Sequence, residues 1–129
     1  MQDTSSDRIF EIANDTVAQF PHDFASSAAE VVLLVEEIAT PELLRDMGIS
    51  DPLELSGLYE GIPVTHKSVF DQPVGPDTVT LFRRAILDEL ASRPDETLET
   101  LVAHVTVHEF AHHFGWSDED IAAIDEWWT

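Results

Sequence analysis

From Thr97 to Phe114 the chain keeps one helical period without a break. Leu98, Leu101, Val102, Val105, His108, Phe110 and His112 recur at three- and four-residue steps. Gly115 then stands where a helix ends in left-handed backbone, a conformation that glycine adopts without a side-chain clash. At 129 residues the chain is long enough for one core and too short for two, so residues 1–129 are expected to form a single domain.

Upstream, Phe10, Ala13, Val17 and Phe20 repeat at helical spacing, with Ile9 and Ile12 widening the stripe, and Pro21 closes the segment. A second, short helix is expected from Asp23 to about Glu30. The β-branched run from Val31 to Val35 reads as a strand covered on both faces. Pro41 opens a short helix or loop through Met47 and Gly48. Leu58-Tyr59 and Ile62 to Thr65 are expected as a strand or hairpin interrupted by Gly61, and Thr78 to Phe82 as a further strand. Ala85, Ile86, Leu87 and Leu90 fit a helix that stops before Pro94. Beyond Gly115, Ser117 can cap a last helix, Asp118 to Trp128, with Ile121, Ile124 and Trp128 inward. The order predicts an α+β domain with helices packed on one small mixed sheet.

Composition narrows the function classes. Six basic against 26 acidic residues give a net charge of −20. A field of that sign repels phosphate backbones and anionic headgroups, so neither nucleic acid nor a membrane surface is expected as a partner. The acidity reads first as a solvated, aggregation-resistant surface and second as an attractor of cations and basic peptides. With no cysteine, disulfides, thiol catalysis, iron–sulfur clusters and cysteine zinc sites are all removed. The first residues, Met1 to Asp7, lack the basic and apolar regions of a signal peptide, and no apolar run approaches a membrane span. A cytoplasmic protein, monomeric or a small homo-oligomer, is the expectation.

The chemistry is concentrated in His108-Glu109-Phe110-Ala111-His112. Four helical residues turn through 400°, so both imidazoles leave one face, one turn apart, and can reach a single zinc ion. Glu109 stands beside the first of them, where its carboxylate can take a proton from a metal-activated water. With 6 His and 13 Glu in 129 residues, chance supplies roughly 0.03 such matches, too few to dismiss this one as accident. The pattern extends to Gly115 and Asp118, so a chain reversed at Gly115 can bring Asp118 to the metal as a third ligand. Glu119, Asp120, Asp125 and Glu126 compete for that role from the last helix. His113 projects off the ligand face and reads as a surface or packing residue.

The segment from Val105 to Asp118, together with Gly57 to Pro63 and Val79 to Arg83, resembles the small bacterial zincin-like metallopeptidases, the minimal zincins or minigluzincins. Its HExxHxxGxxD form is also similar to that of the snapalysin-type zinc proteases. The resemblance implies a three-stranded sheet over an active-site helix, with His108, His112 and Asp118 as metal ligands and Glu109 as base. The sequence departs from metzincins, which have histidine at the place of Asp118 and a methionine turn beneath the metal, whereas the only methionines here are Met1 and Met47. The 17 residues after His112 are expected to leave the cleft shallow. Tyr59, His66 and His104 are the polar candidates for an oxyanion donor. Tyr59 fits sheet packing better, and His104, one turn before His108, can either line the cleft or serve as an ordinary helix histidine.

The function expected is therefore zinc-dependent hydrolysis of peptide bonds in a peptide or protein substrate. The rival is a zinc-binding interaction module of the same fold with little or no turnover.

Overall fold

The structure is a computed structural model, and its described residues are 3–21, 24–25, 28–61 and 77–115. Among them the elements run α1 (Ser6–Ala18), β1 (Val32–Glu36), α2 (Pro41–Met47), a 3-10 turn (Pro52–Glu54), β2 (Gly57–Glu60), β3 (Thr78–Phe82), α3 (Arg83–Ala91) and α4 (Leu98–His113). The expected helix over 23–30 lies partly outside the described residues; Phe24, Ala25 and Ala28 are helical. The expected strand over 62–65 and the last helix over 118–128 lie outside them. No described helix is long and apolar enough to cross a membrane.

The sheet has the order β1-β3-β2. β1 runs parallel to β3 with Leu33 beside Val79 and Val35 beside Leu81, and β2 runs antiparallel to β3 with Tyr59 beside Val79. A mixed three-stranded sheet with helices is the expected α+β architecture. Val79 and Leu81 point to one face and are fully buried there with Ile9, Ile12 and Ala13 of α1 and Leu98, Leu101, Val102, Val105 and Phe110 of α4. A smaller cluster on the other side gathers Phe82 and Ala85 with Ala39 and Leu55.

Local sequence fixes the element ends. The Ser5 hydroxyl accepts from the Arg8 amide to start α1, and Thr40 does the same for Leu43 at α2, where Pro41 occupies the first turn. α4 begins with a reciprocal cap, in which the Thr97 and Thr100 side chains each accept from the other's backbone amide. At its far end Gly115 has φ +92°, the left-handed stop expected from the sequence.

Three expectations need correction. The buried stripe of α1 is Ile9, Ile12 and Ala13, while Phe10 is 42% exposed, because the helix is turned so that its β-branched residues meet α4 and the sheet. β1 is not covered on both faces: Val32 and Leu34, which share one face, are each about two-fifths exposed, and among the described residues the strand lies at an edge of the sheet. A run of β-branched residues suits an edge as well as a centre, and only the pairing decides between them. Finally, α4 buries more than one stripe. Thr106, Val107, Ala111 and His113 are buried beside the expected positions, since α1, α3 and the sheet pack around most of the helix.

With few cations available, the arginines join elements. Arg8 pairs with Glu11 and reaches Glu99 at 3.3 Å, linking the starts of α1 and α4. Arg83 donates to the Thr4 carbonyl at 2.7 Å and to Glu37 at 2.9 Å.

Candidate metal centre

The last two turns of α4 carry two interleaved pairs at four-residue spacing. His108 and His112 form one, and Glu109 and His113 form the other, about 100° round the helix. The pairs meet different surroundings.

His108 and His112 are half-buried, with ring centres 5.1 Å apart and planes at 80°. Two nitrogens each about 2.0–2.1 Å from a tetrahedral zinc stand about 3.3 Å apart, a spacing that rings so placed can meet. Neutral imidazoles and carboxylates are also the donor types that zinc takes. The pair therefore supplies two donors of the type zinc takes, on one face of the helix. Among the described residues no third histidine or carboxylate completes a ligand set with the pair. Asp118 and its competitors Glu119, Asp120, Asp125 and Glu126 lie outside the described residues, as do His66 and the three tryptophans.

Glu109 turns toward β2. A Cβ added to Gly57 would stand 2.8 Å from a Val105 methyl, 3.0 Å from the Glu109 Cγ and 3.4 Å from Glu109 Oε2. Gly57 is thus the cradle in which the Glu109 side chain lies, and strand and helix approach more closely than any other residue would allow. Two strand residues further on, Tyr59 meets His113, four helix residues beyond Glu109, with ring centres 5.7 Å apart. A two-residue strand step of about 6.6 Å and a four-residue helix step of about 6 Å nearly match, so β2 keeps pace with α4 along the site.

His113 is the principal surprise. It has no exposure at all, and its Nδ1 lies 2.9 Å from Asp77 Oδ2. A carboxylate only accepts, so Nδ1 carries the proton. The Tyr59 hydroxyl donates to the same oxygen at 2.9 Å. Burial, and then the hydrogen bond to Asp77 and its charge, raise the Tyr59 hydroxyl well above the ordinary tyrosine range. The packing part of the expectation for His113 holds and the surface part does not. The repeat of the four-residue spacing at Glu109 and His113 was a signal for this second face; nothing local marked Asp77 as its partner.

On the α1 side, Phe20 meets Phe110 and Phe114 edge-on, with centres 5.4 and 5.9 Å apart, and holds the end of α4 against the core. His104 is exposed and lines an open groove of about 630 Å³ with Thr16 and Gln19 of α1 and Thr100 and Val107 of α4.

A family model described as zincin-like metallopeptidase matches residues 28–128, from before β1 to past the end of α4. The chain belongs to that family. Comparison with curated proteins gives no match. The expected architecture is present: among the described residues the HExxH helix packs against a three-stranded mixed sheet.

Proposed function

We propose that this zincin-like protein is a zinc-dependent hydrolase of peptide bonds, with His108, His112 and Asp118 holding the metal and Glu109 acting as general base. The observation that carries the reading is the division of α4 into a half-buried histidine pair and a glutamate seated against Gly57. Bound there, zinc supplies a water acidified to a pKa of about 7 and a polarised scissile carbonyl. Glu109 accepts the proton of the attacking water on a carboxylate oxygen and delivers it to the departing amine nitrogen. Its cradle restricts the carboxylate to one approach, which saves the entropy of finding it. Among the described residues β2 is paired on one side only, with β3, so an extended peptide can lie antiparallel along the strand from Leu58 to Glu60. The acidic surface favours basic or flexible peptides.

A second reading is a zinc-binding interaction module with little turnover. The observation that favours it is the Tyr59 hydroxyl, which is engaged by Asp77 and so is not available to a substrate carbonyl. Elemental analysis of the purified protein, followed by hydrolysis assays on basic peptides, tests both. About one zinc per chain and hydrolysis that disappears in Glu109→Ala with zinc retained support the hydrolase. Zinc with hydrolysis indifferent to Glu109→Ala supports the module, and no zinc removes both.

A further inference from the structure

The Tyr59, Asp77 and His113 cluster takes no part in the proposed hydrolysis, yet it ends one residue from a proposed ligand. Asp77 immediately precedes β3 and joins three elements. Its carbonyl accepts from the Val32 amide of β1 at 2.9 Å, and its Oδ2 takes the Tyr59 hydroxyl of β2 and Nδ1 of His113 on α4, each at 2.9 Å. Asp77 is itself only 9% exposed. Gly61 closes its other side, where an added Cβ would collide with Asp77 Oδ1 at a backbone φ of +154°. The chain therefore makes room for a buried carboxylate where an apolar side chain would avoid the desolvation penalty.

Apolar packing is non-directional, so the Val, Leu and Phe contacts around the helix define its rotation less sharply than a directional bond does. A hydrogen bond prefers a near-linear donor angle and weakens steeply as it bends, so the bond from His113 to Asp77 resists a change of that rotation. His113 adjoins His112 and stands one turn beyond Glu109. Any turn of α4 that breaks the bond therefore moves a proposed ligand and the proposed base together. A displacement of about 1 Å at reacting groups is enough to cost on the order of 10²-fold in rate.

We propose that Asp77 is a positioning residue for the metal face: through His113 it sets the rotation of the last turn of α4, and so the directions of His112 and Glu109. The inference rests on the reading of His108 and His112 as zinc ligands.

The test compares the full-length protein with Asp77→Ala, Asp77→Asn and Tyr59→Phe. Zinc affinity is measured by competition with a chromophoric chelator, and the visible spectrum is recorded after cobalt substitution, all at a temperature where the metal-free forms are folded. Asp77→Ala should weaken zinc binding by tenfold or more and change the cobalt bands. Asp77→Asn keeps the shape and one acceptor; it should weaken zinc less, and it is the variant read if Asp77→Ala does not fold. Tyr59→Phe removes a bond to the same oxygen but leaves His113 tethered, so it should lower the melting temperature with zinc affinity within twofold. Folded Asp77 variants with unchanged zinc affinity and cobalt spectrum overturn the proposal, and so does Tyr59→Phe weakening zinc as much as Asp77→Ala. If the His108→Ala, His112→Ala double variant binds zinc like the unmodified protein, the reading of the ligands fails first and the proposal falls with it.

Discussion

Gly57 on β2 and Glu109 on α4 touch so closely that no side chain fits between them: an added Cβ would stand 3.0 Å from the Glu109 Cγ and 2.8 Å from a Val105 methyl. Gly57→Ala must therefore push Val105, the glutamate or the strand aside. Overpacking of this kind costs about 1–3 kcal/mol. We expect a lower melting temperature and a larger fall in kcat than in zinc content, measured by calorimetry, peptide hydrolysis and elemental analysis on the same sample. Unchanged turnover would show that the seat of Glu109 is immaterial to its role.

Tyr59 is the only tyrosine in the chain, so phenolate absorbance near 295 nm reports it alone. Its folded-state pKa is raised, by burial first and by Asp77 second. A raised pKa favours the protonated form in the native state. The associated stabilisation is complete below the unfolded value of about 10 and is lost as pH rises from there through the folded value. The folded protein should show no phenolate at pH 10, whereas urea-unfolded protein should be about half ionised there. Asp77→Asn should move the native titration down towards the ordinary range.

Two glycines with positive φ separate backbone strain from metal geometry. Gly48 has φ +70° with nothing within 4 Å of an added Cβ, and Gly115 has φ +92° three residues beyond His112. Alanine at either should cost about 1–2 kcal/mol from left-handed backbone alone. Only Gly115→Ala should also weaken zinc binding, because the same turn leads the chain from His112 towards Asp118. Equal zinc affinities in the two variants would remove Gly115 from the route to the third ligand. Gly61 is unsuitable as the control, since it abuts Asp77.

Metal should stabilise the fold as well as activate it. Zinc bound only by the native state adds about 2.7 kcal/mol at a hundredfold excess over its Kd, equivalent to roughly 8–10 °C in a chain of this size. Chelation should lower the melting temperature by that order in the unmodified protein and have no effect on the His108→Ala, His112→Ala variant. A chelator effect that persists in that variant would place the metal elsewhere.

What the sequence determined by itself is local. The span of α4, its start at Thr97, its stop at Gly115, the strand from Thr78 to Phe82 and the shared face of His108 and His112 all follow from interactions within four residues or from one residue's backbone preference. Tertiary structure decided everything that depends on which surfaces meet. It turned Phe10 outward in favour of Ile9, left Val32 and Leu34 on one face of β1 partly exposed, and buried His113 against a carboxylate 36 residues away. It also gave Gly57 its purpose. From the sequence Gly57 is one more glycine in a turn-rich stretch, and only the approach of β2 to α4 makes the missing side chain the space that Glu109 occupies. Helical period and glycine preference are written in neighbouring residues, whereas the partner of a buried polar group is selected by the packing of distant segments, which no local pattern encodes.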